Sequence, residues 1–212
     1  MIKIKTQKGQ DIWMTSDTHY SHTNMVRGVT KWRDENGNIP FDKVRDFDTL
    51  EDMNISMINN INNNVKEDDL LFHGGDWSFG GEQCVPEFRR LINCKNIYLI
   101  LGNHDHHIEN KSEYRKLFTG VYDKLRLMID NQEFELNHEP IASWTNIRKG
   151  SIMLFGHCHL SNENKMAFGK SMDIGIDGHP EFRPYKLSEI MEIMDKQPID
   201  SWMKFKFPTR VD

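Results

Sequence analysis

Hydrophobic residues recur along this chain in two rhythms. Residues 12–15, 69–72 and 96–101 are short apolar runs bounded by polar residues, the pattern of buried strands. Between the first two runs, Leu50, Met53, Ile55, Met57, Ile58 and Ile61 return near helical spacing. A helix is predicted there over about residues 48–64, capped by Asp48 or Thr49 and ended by Asn62-Asn63-Asn64. Residues 86–92 read as a second helix, because a proline is tolerated in a first turn. Residues 113–118 look helical as well. From residue 121 the pattern changes: 124–129 and 133–137 flank Asp130-Asn131, a hairpin signal. Residues 151–155 and 171–176 read as further strands, and 187–194 as a closing helix. The first half therefore alternates strand and helix, while the second half is rich in strands.

Composition narrows the setting. At 212 residues the chain is read as a single domain, 1–212, with no internal repeat or linker. Its tail, from about residue 198, includes an alternating run at 202–207 that resembles an edge strand and could dock on the domain or on a partner. Lys plus Arg is 27 against 32 Asp plus Glu, a net charge of −5, which argues against broad binding to nucleic-acid backbone. Three cysteines, an odd number, argue against a disulfide framework and fit a reducing, cytoplasmic setting. Cys84, Cys94 and Cys158 are read as small core or loop residues, and Met53, Met57, Met191 and Met194 as core. Met1-Ile2-Lys3-Ile4-Lys5 lacks the apolar stretch of a signal peptide, and no run is long enough for a membrane span.

The chemistry lies in short motifs just past the apolar runs: Asp17-Thr18-His19, Gly75-Asp76, Gly102-Asn103-His104-Asp105, His138 and Gly156-His157-Cys158-His159. In α/β sheets, sites form beyond the carboxyl ends of strands. If these segments are extended, Asp17 and His19 face one side together, and so do His157 and His159. Asp76, an acid after two glycines, is the candidate to bridge two cations. Carboxylate, amide oxygen and imidazole together suit Mn, Fe, Ni or Zn, with Mn favoured.

In order and spacing these motifs resemble the calcineurin-like metallophosphoesterase superfamily, small bacterial and phage-type members included, over roughly residues 12–190. The resemblance implies a four-layer α-β-β-α sandwich, two packed mixed β-sheets flanked by helices. It implies two divalent metal ions, one held by Asp17, His19, Asp76 and His159, the other by Asp76, Asn103, His138 and His157. It further implies a phosphoester substrate attacked by a metal-bridging hydroxide. His104 would contact the phosphate and protonate the leaving oxygen, with Asp105 orienting its ring or merely capping a turn. An intact His104 favours a phosphodiesterase acting on a small or nucleotide-type diester, or on a nucleic-acid end, because diesters expel an alkoxide that needs a proton. A phosphomonoesterase, a nuclease and a non-catalytic scaffold are the alternatives.

Two departures from the family pattern stand out. Asp76 is followed by Trp77-Ser78-Phe79-Gly80 where an acid is commoner, and His138 follows Asn137 where Ser or Gly often stands. His22 could touch the phosphate or Asp105, or do neither. Residues 28–47 form an insertion that could cover the site; its Lys31 and Arg33 would bind substrate or simply be a solvated turn. Arg148, between two motifs, carries the same pair of readings. His73 is expected on the opposite side of its strand, and His106, His107 and His179 in solvent or loops.

Overall fold

The computed structural model describes residues 1–159 and 169–199, arranged as two packed mixed sheets with helices. One sheet runs in the order β1 (Ile2–Ile4), β6 (Lys124–Ile129), β7 (Gln132–Asn137), β8 (Ile152–Phe155) and β9 (Ser171–Asp173). The other runs β10 (Tyr185–Lys186), β2 (Ile12–Thr15), β3 (Leu70–His73), β4 (Asn96–Ile100) and β5 (Gly120–Tyr122). In the second sheet, β2 to β5 are parallel and β10 is antiparallel; in the first, only the β6–β7 hairpin is antiparallel.

Strand alternation sorts the side chains into layers. Ile12, Met14, Phe72 and Ile100 of one sheet meet Leu125, Leu127, Phe134, Leu136, Ile152 and Leu154 of the other. Each such fully buried side chain contributes roughly 1.5–3 kcal/mol. On the opposite face, Trp13, Leu71, Ile97 and Leu99 meet the helices α1 (Leu50–Asn64) and α2 (Cys84–Leu91) through Met57, Ile61, Val85 and Phe88. Thr49 starts α1, accepting the Asp52 N–H at 3.1 Å. The outer face of the first sheet is covered by Trp144, which packs with Met153 and Phe155.

Several elements differ from expectation. Ile2–Ile4 and Gly120–Tyr122 add an edge strand to each sheet; both are too short to stand out as patterns. The helix expected over 113–118 is one turn, α4 (Ser112–Arg115), preceded by α3 (His106–Asn110). The strand expected over 171–176 stops at Asp173. There the Asp173 carboxylate accepts the Gly175 N–H at 2.7 Å, and the chain turns into a 3-10 turn at Ile176–Gly178. That turn is tied to the first motif: Ile176 N–H donates to Ser16 O at 3.0 Å. His179 is buried rather than solvent-facing, its Nδ1 accepting the Glu181 N–H. The alternating run at 202–207 lies outside the described residues. Among the described residues no helix is long and apolar enough to cross a membrane.

Candidate metal centre

The motif residues collect where β2, β3, β4, β7 and β8 end. Adjacent loops are stitched by main-chain bonds: Asp17 N–H to Gly75 O at 2.9 Å, His19 N–H to Asp76 O at 3.0 Å and Gly156 N–H to His138 O at 2.8 Å. Two glycines make that closeness feasible. A Cβ on Gly75, whose φ is +108°, would lie 2.6 Å from His138 Nδ1, and one on Gly156 would lie 2.3 Å from Asp17 Oδ2.

The extended geometry expected for the motifs is not what forms. Asp17, His19, Asp76, His157 and His159 all have positive φ, between 46° and 69°. Non-glycine residues there cost about 1–3 kcal/mol each and cluster where function over-determines the backbone. The consequence is visible at the last motif. His159 Nε2 stands 3.7 Å from Asp17 Oδ1, whereas His157 Nδ1 stands 2.9 Å from Asn103 Oδ1. The two imidazoles thus serve different groups instead of facing one point.

Two groups of ligand atoms result. Asp17, His19 and His159 place theirs within 4.8 Å of one another, as do Asp17, Asp76 and His138. Asp17 is common to both groups, and Asp76 Oδ2 lies 3.4 Å from His19 Nε2 of the first and from His138 Nε2 of the second. Asn103 Oδ1 meets His138 Nε2 at 2.9 Å. Ligands bound about 2.0–2.2 Å from one cation sit roughly 3.0–3.6 Å apart, so the 3.4 Å separations suit shared coordination better than hydrogen bonds.

The electrostatics agree. Burial disfavours the His138 imidazolium, yet Asp76 and Asp17 outweigh it and raise the ring to about 9. A field that holds a proton so firmly also attracts a cation. Burial raises the Asp17 carboxyl and holds His19 well below its usual value, whereas at Asp76 burial is outweighed by His138 and His19, which hold that carboxyl below the usual range. His138 Nδ1 donates to Gly74 O at 2.9 Å, which leaves Nε2 facing the group.

Two supporting residues have no counterpart in the sequence reading. Asp177 Oδ2 accepts from His159 Nδ1 at 2.7 Å, again directing Nε2 inward. Arg45, only 5% exposed, donates to Asp17 O at 2.7 Å, Thr18 O at 2.8 Å and both Asp177 oxygens at 2.7 and 2.9 Å. Burial would raise Asp177, but Arg45 and His159 hold its carboxyl well below the usual range. The only available signal was an arginine among the charges of the insertion and an acid between glycines.

His104 is half-buried, and its N–H donates to Asp76 Oδ1 at 2.9 Å. Asp105 does not orient the His104 ring. Its carboxylate accepts from the Asp76, Trp77 and Gly102 N–H groups at 2.8, 3.0 and 2.8 Å, so it shapes the Asp76 loop. Nor does that carboxylate cap α3. His73 faces the helical layer as expected, its Nε2 2.9 Å from Thr18 Oγ1.

The four residues assigned to substrate fare differently. His22 is buried and its ring lies 5.5 Å from that of His19, with burial pulling it down to about 4. Lys31 and Arg33 are exposed, and Arg33 donates to the carbonyls of Thr30 and Trp32 in its own loop. Arg148 is exposed on the 3-10 turn Ile147–Lys149, and among the described residues no hydrogen bond joins it to the metal-ligand groups. Of the four, His22 is the one that a ring contact with His19 ties to the centre.

Comparison with known proteins places this geometry. An uncharacterised protein, MJ1445, of Methanocaldococcus jannaschii is 27% identical over 191 residues, 87% of this chain and 92% of that protein. A crystal structure of a protein of unknown function, AQ665 from Aquifex aeolicus, shares the fold with a TM-score of 0.62 at 18% identity, covering 87% of this chain and 100% of that one. The family model described as calcineurin-like phosphoesterase matches residues 11–198. The chain belongs to the calcineurin-like phosphoesterase family.

Proposed function

We propose that this chain is a dinuclear metal-dependent phosphodiesterase acting on a small or nucleotide-type diester. A metal-dependent phosphoesterase is what its family membership supports; the metal count and the diester preference are our reading. The observation that carries the count is Asp76 Oδ2, equidistant at 3.4 Å from His19 Nε2 and His138 Nε2. Asp17, His19, Asp76 and His159 would hold one ion, and Asp76, Asn103, His138 and His157 the other. Bound there, two divalent ions supply charge stabilisation and a water of lowered pKa at neutral pH. Mn is the favoured ion, with Fe, Ni and Zn also suited to these donors.

The chain's own residues would do the rest. His104, fixed through its N–H on Asp76, would donate the proton to the departing oxygen. Among the described residues, the diester preference is supported by how the buried arginine beside the site is used. The buried guanidinium nearby, Arg45, is committed to Asp17 O, Thr18 O and Asp177. A dianionic monoester would gain from a free arginine or lysine that these bonds do not leave. The cytoplasmic setting is supported by three free thiols, two of them buried.

The test is hydrolysis of bis(p-nitrophenyl) phosphate against p-nitrophenyl phosphate by chelator-stripped chain with Mn restored. Mn-dependent diester turnover exceeding monoester turnover is expected. A monoester preference would refute the diester assignment, and no turnover on either with both ions bound would refute the enzyme reading for these substrates.

A further inference from the structure

The loop after Asp76 carries an aromatic residue that the metal centre does not use. Phe79 belongs to the Trp77-Ser78-Phe79-Gly80 run that departs from the family pattern, and it is 37% exposed. A lone exposed phenylalanine needs no explanation; the placement of this one does. Its ring centroid lies 5.2 Å from that of His104 and 6.4 Å from that of His19. It stacks on His22 at 3.9 Å, with the planes 12° apart. His22 is buried, and the Trp32 ring meets it edge-on at 5.5 Å. The backbone beneath is fixed: Phe79 N–H donates to Tyr20 O at 2.7 Å, and Tyr20 bridges to Ser78.

The 28–47 insertion thus brings Trp32 to the site while Lys31 and Arg33 stay exposed. Aromatic side chains beside a phosphate site offer a face on which any base can stack. A net charge of −5 disfavours tracking along a polyanion, so a single nucleotide unit suits the site better than a long strand.

We infer that Phe79, backed by His22 and Trp32, is an aromatic shelf that takes the nucleobase of a nucleotide-type phosphoester whose phosphate lies at the metal centre. This rests on the phosphoesterase reading above for the position of the phosphate. It adds a substrate class and a specificity-determining residue to that reading.

The test compares AMP with ribose 5-phosphate, which share a phosphate and a sugar but differ in the base. Binding of each to the full Mn-loaded chain is measured by calorimetry for the parent, Phe79→Ala and Phe79→Trp. AMP should bind the parent about tenfold more tightly than ribose 5-phosphate. Phe79→Ala should erase most of that ratio and leave ribose 5-phosphate unchanged, and Phe79→Trp should keep it. Equal affinities in the parent would overturn the shelf, whatever becomes of the variants. So would a parallel loss of both ligands in Phe79→Ala with metal content intact. The two readings fail separately. A chain that prefers AMP but hydrolyses nothing refutes the phosphoesterase and spares the shelf. One that turns over bis(p-nitrophenyl) phosphate yet treats AMP and ribose 5-phosphate alike refutes the shelf alone.

Discussion

Arg45 offers a demanding test of how this centre is held. Its guanidinium spends its donors on Asp17 O, Thr18 O and both oxygens of Asp177, at 2.7–2.9 Å, with the side chain 3% exposed. Arg45→Met keeps apolar bulk and removes every one of those bonds. Two carbonyls in a strained loop then lose their donor, and a carboxylate that is 18% exposed loses its counter-charge. Removing one partner of a buried pair costs about 3–5 kcal/mol. Against a typical stability of roughly 5–15 kcal/mol that is a large fraction. In a domain of this size it should lower Tm by about 6–20 °C. Arg27 supplies the internal control. It lies in the same part of the chain and pairs with Asp46, but the two side chains are 37% and 78% exposed. Arg27→Met should cost no more than about 1 kcal/mol. Urea denaturation of parent and both variants, with chelator present, measures the stability alone. If the two variants differed by less than about 1 kcal/mol, Arg45 would not be the buried clamp described here.

Two further outcomes follow, one from the same contacts and one from a second ion pair. Asp177→Asn keeps an acceptor for His159 Nδ1 but removes the charge, so Mn affinity should fall by about tenfold in competition with a chelator; an unchanged affinity would show that Asp177 does not tune His159. In the first turn of the closing helix, Glu189 accepts from Arg183 at 2.6 and 3.0 Å, which holds its carboxyl down at about 2, below an ordinary 4.5. A carboxyl lowered in the folded state stabilises above its unfolded value, and that share is lost as pH falls from 4.5 towards about 2. Glu189→Gln should therefore be less stable than the parent near neutral pH, with the gap closing on acidification. A gap that stayed constant down to about pH 3 would contradict the pairing.

Which parts of this could be read from the chain follows from how each interaction is encoded. The ligand types stood out because metals accept few donors, and their order after apolar runs placed them at strand ends. The helix over Leu50–Asn64 was legible because three buried residues, Met53, Met57 and Ile61, recur one turn apart. Arg45 and Asp177 were not legible. Their contact spans 132 residues and depends on the 3-10 turn that replaces the end of an expected strand. The role of Asp105 was misread, and the His157–His159 spacing did not show the separation that the family resemblance implied, for a shared reason. Both depend on loop backbone, positive φ at His157 and His159 and three amides converging on Asp105, and residue spacing alone encodes neither. Lys31 and Arg33 stood out because charge is visible in sequence, whereas the direction a loop presents is not.

The two proposed cation sites share Asp76. The most direct measurement is metal content by mass spectrometry after Mn loading and removal of free ion, for the parent, His159→Ala and Asp76→Asn. Two ions per chain are expected in the parent, one in His159→Ala, and loss of both in Asp76→Asn at the same metal activity. A single ion in the parent, or two retained by Asp76→Asn, would contradict that sharing.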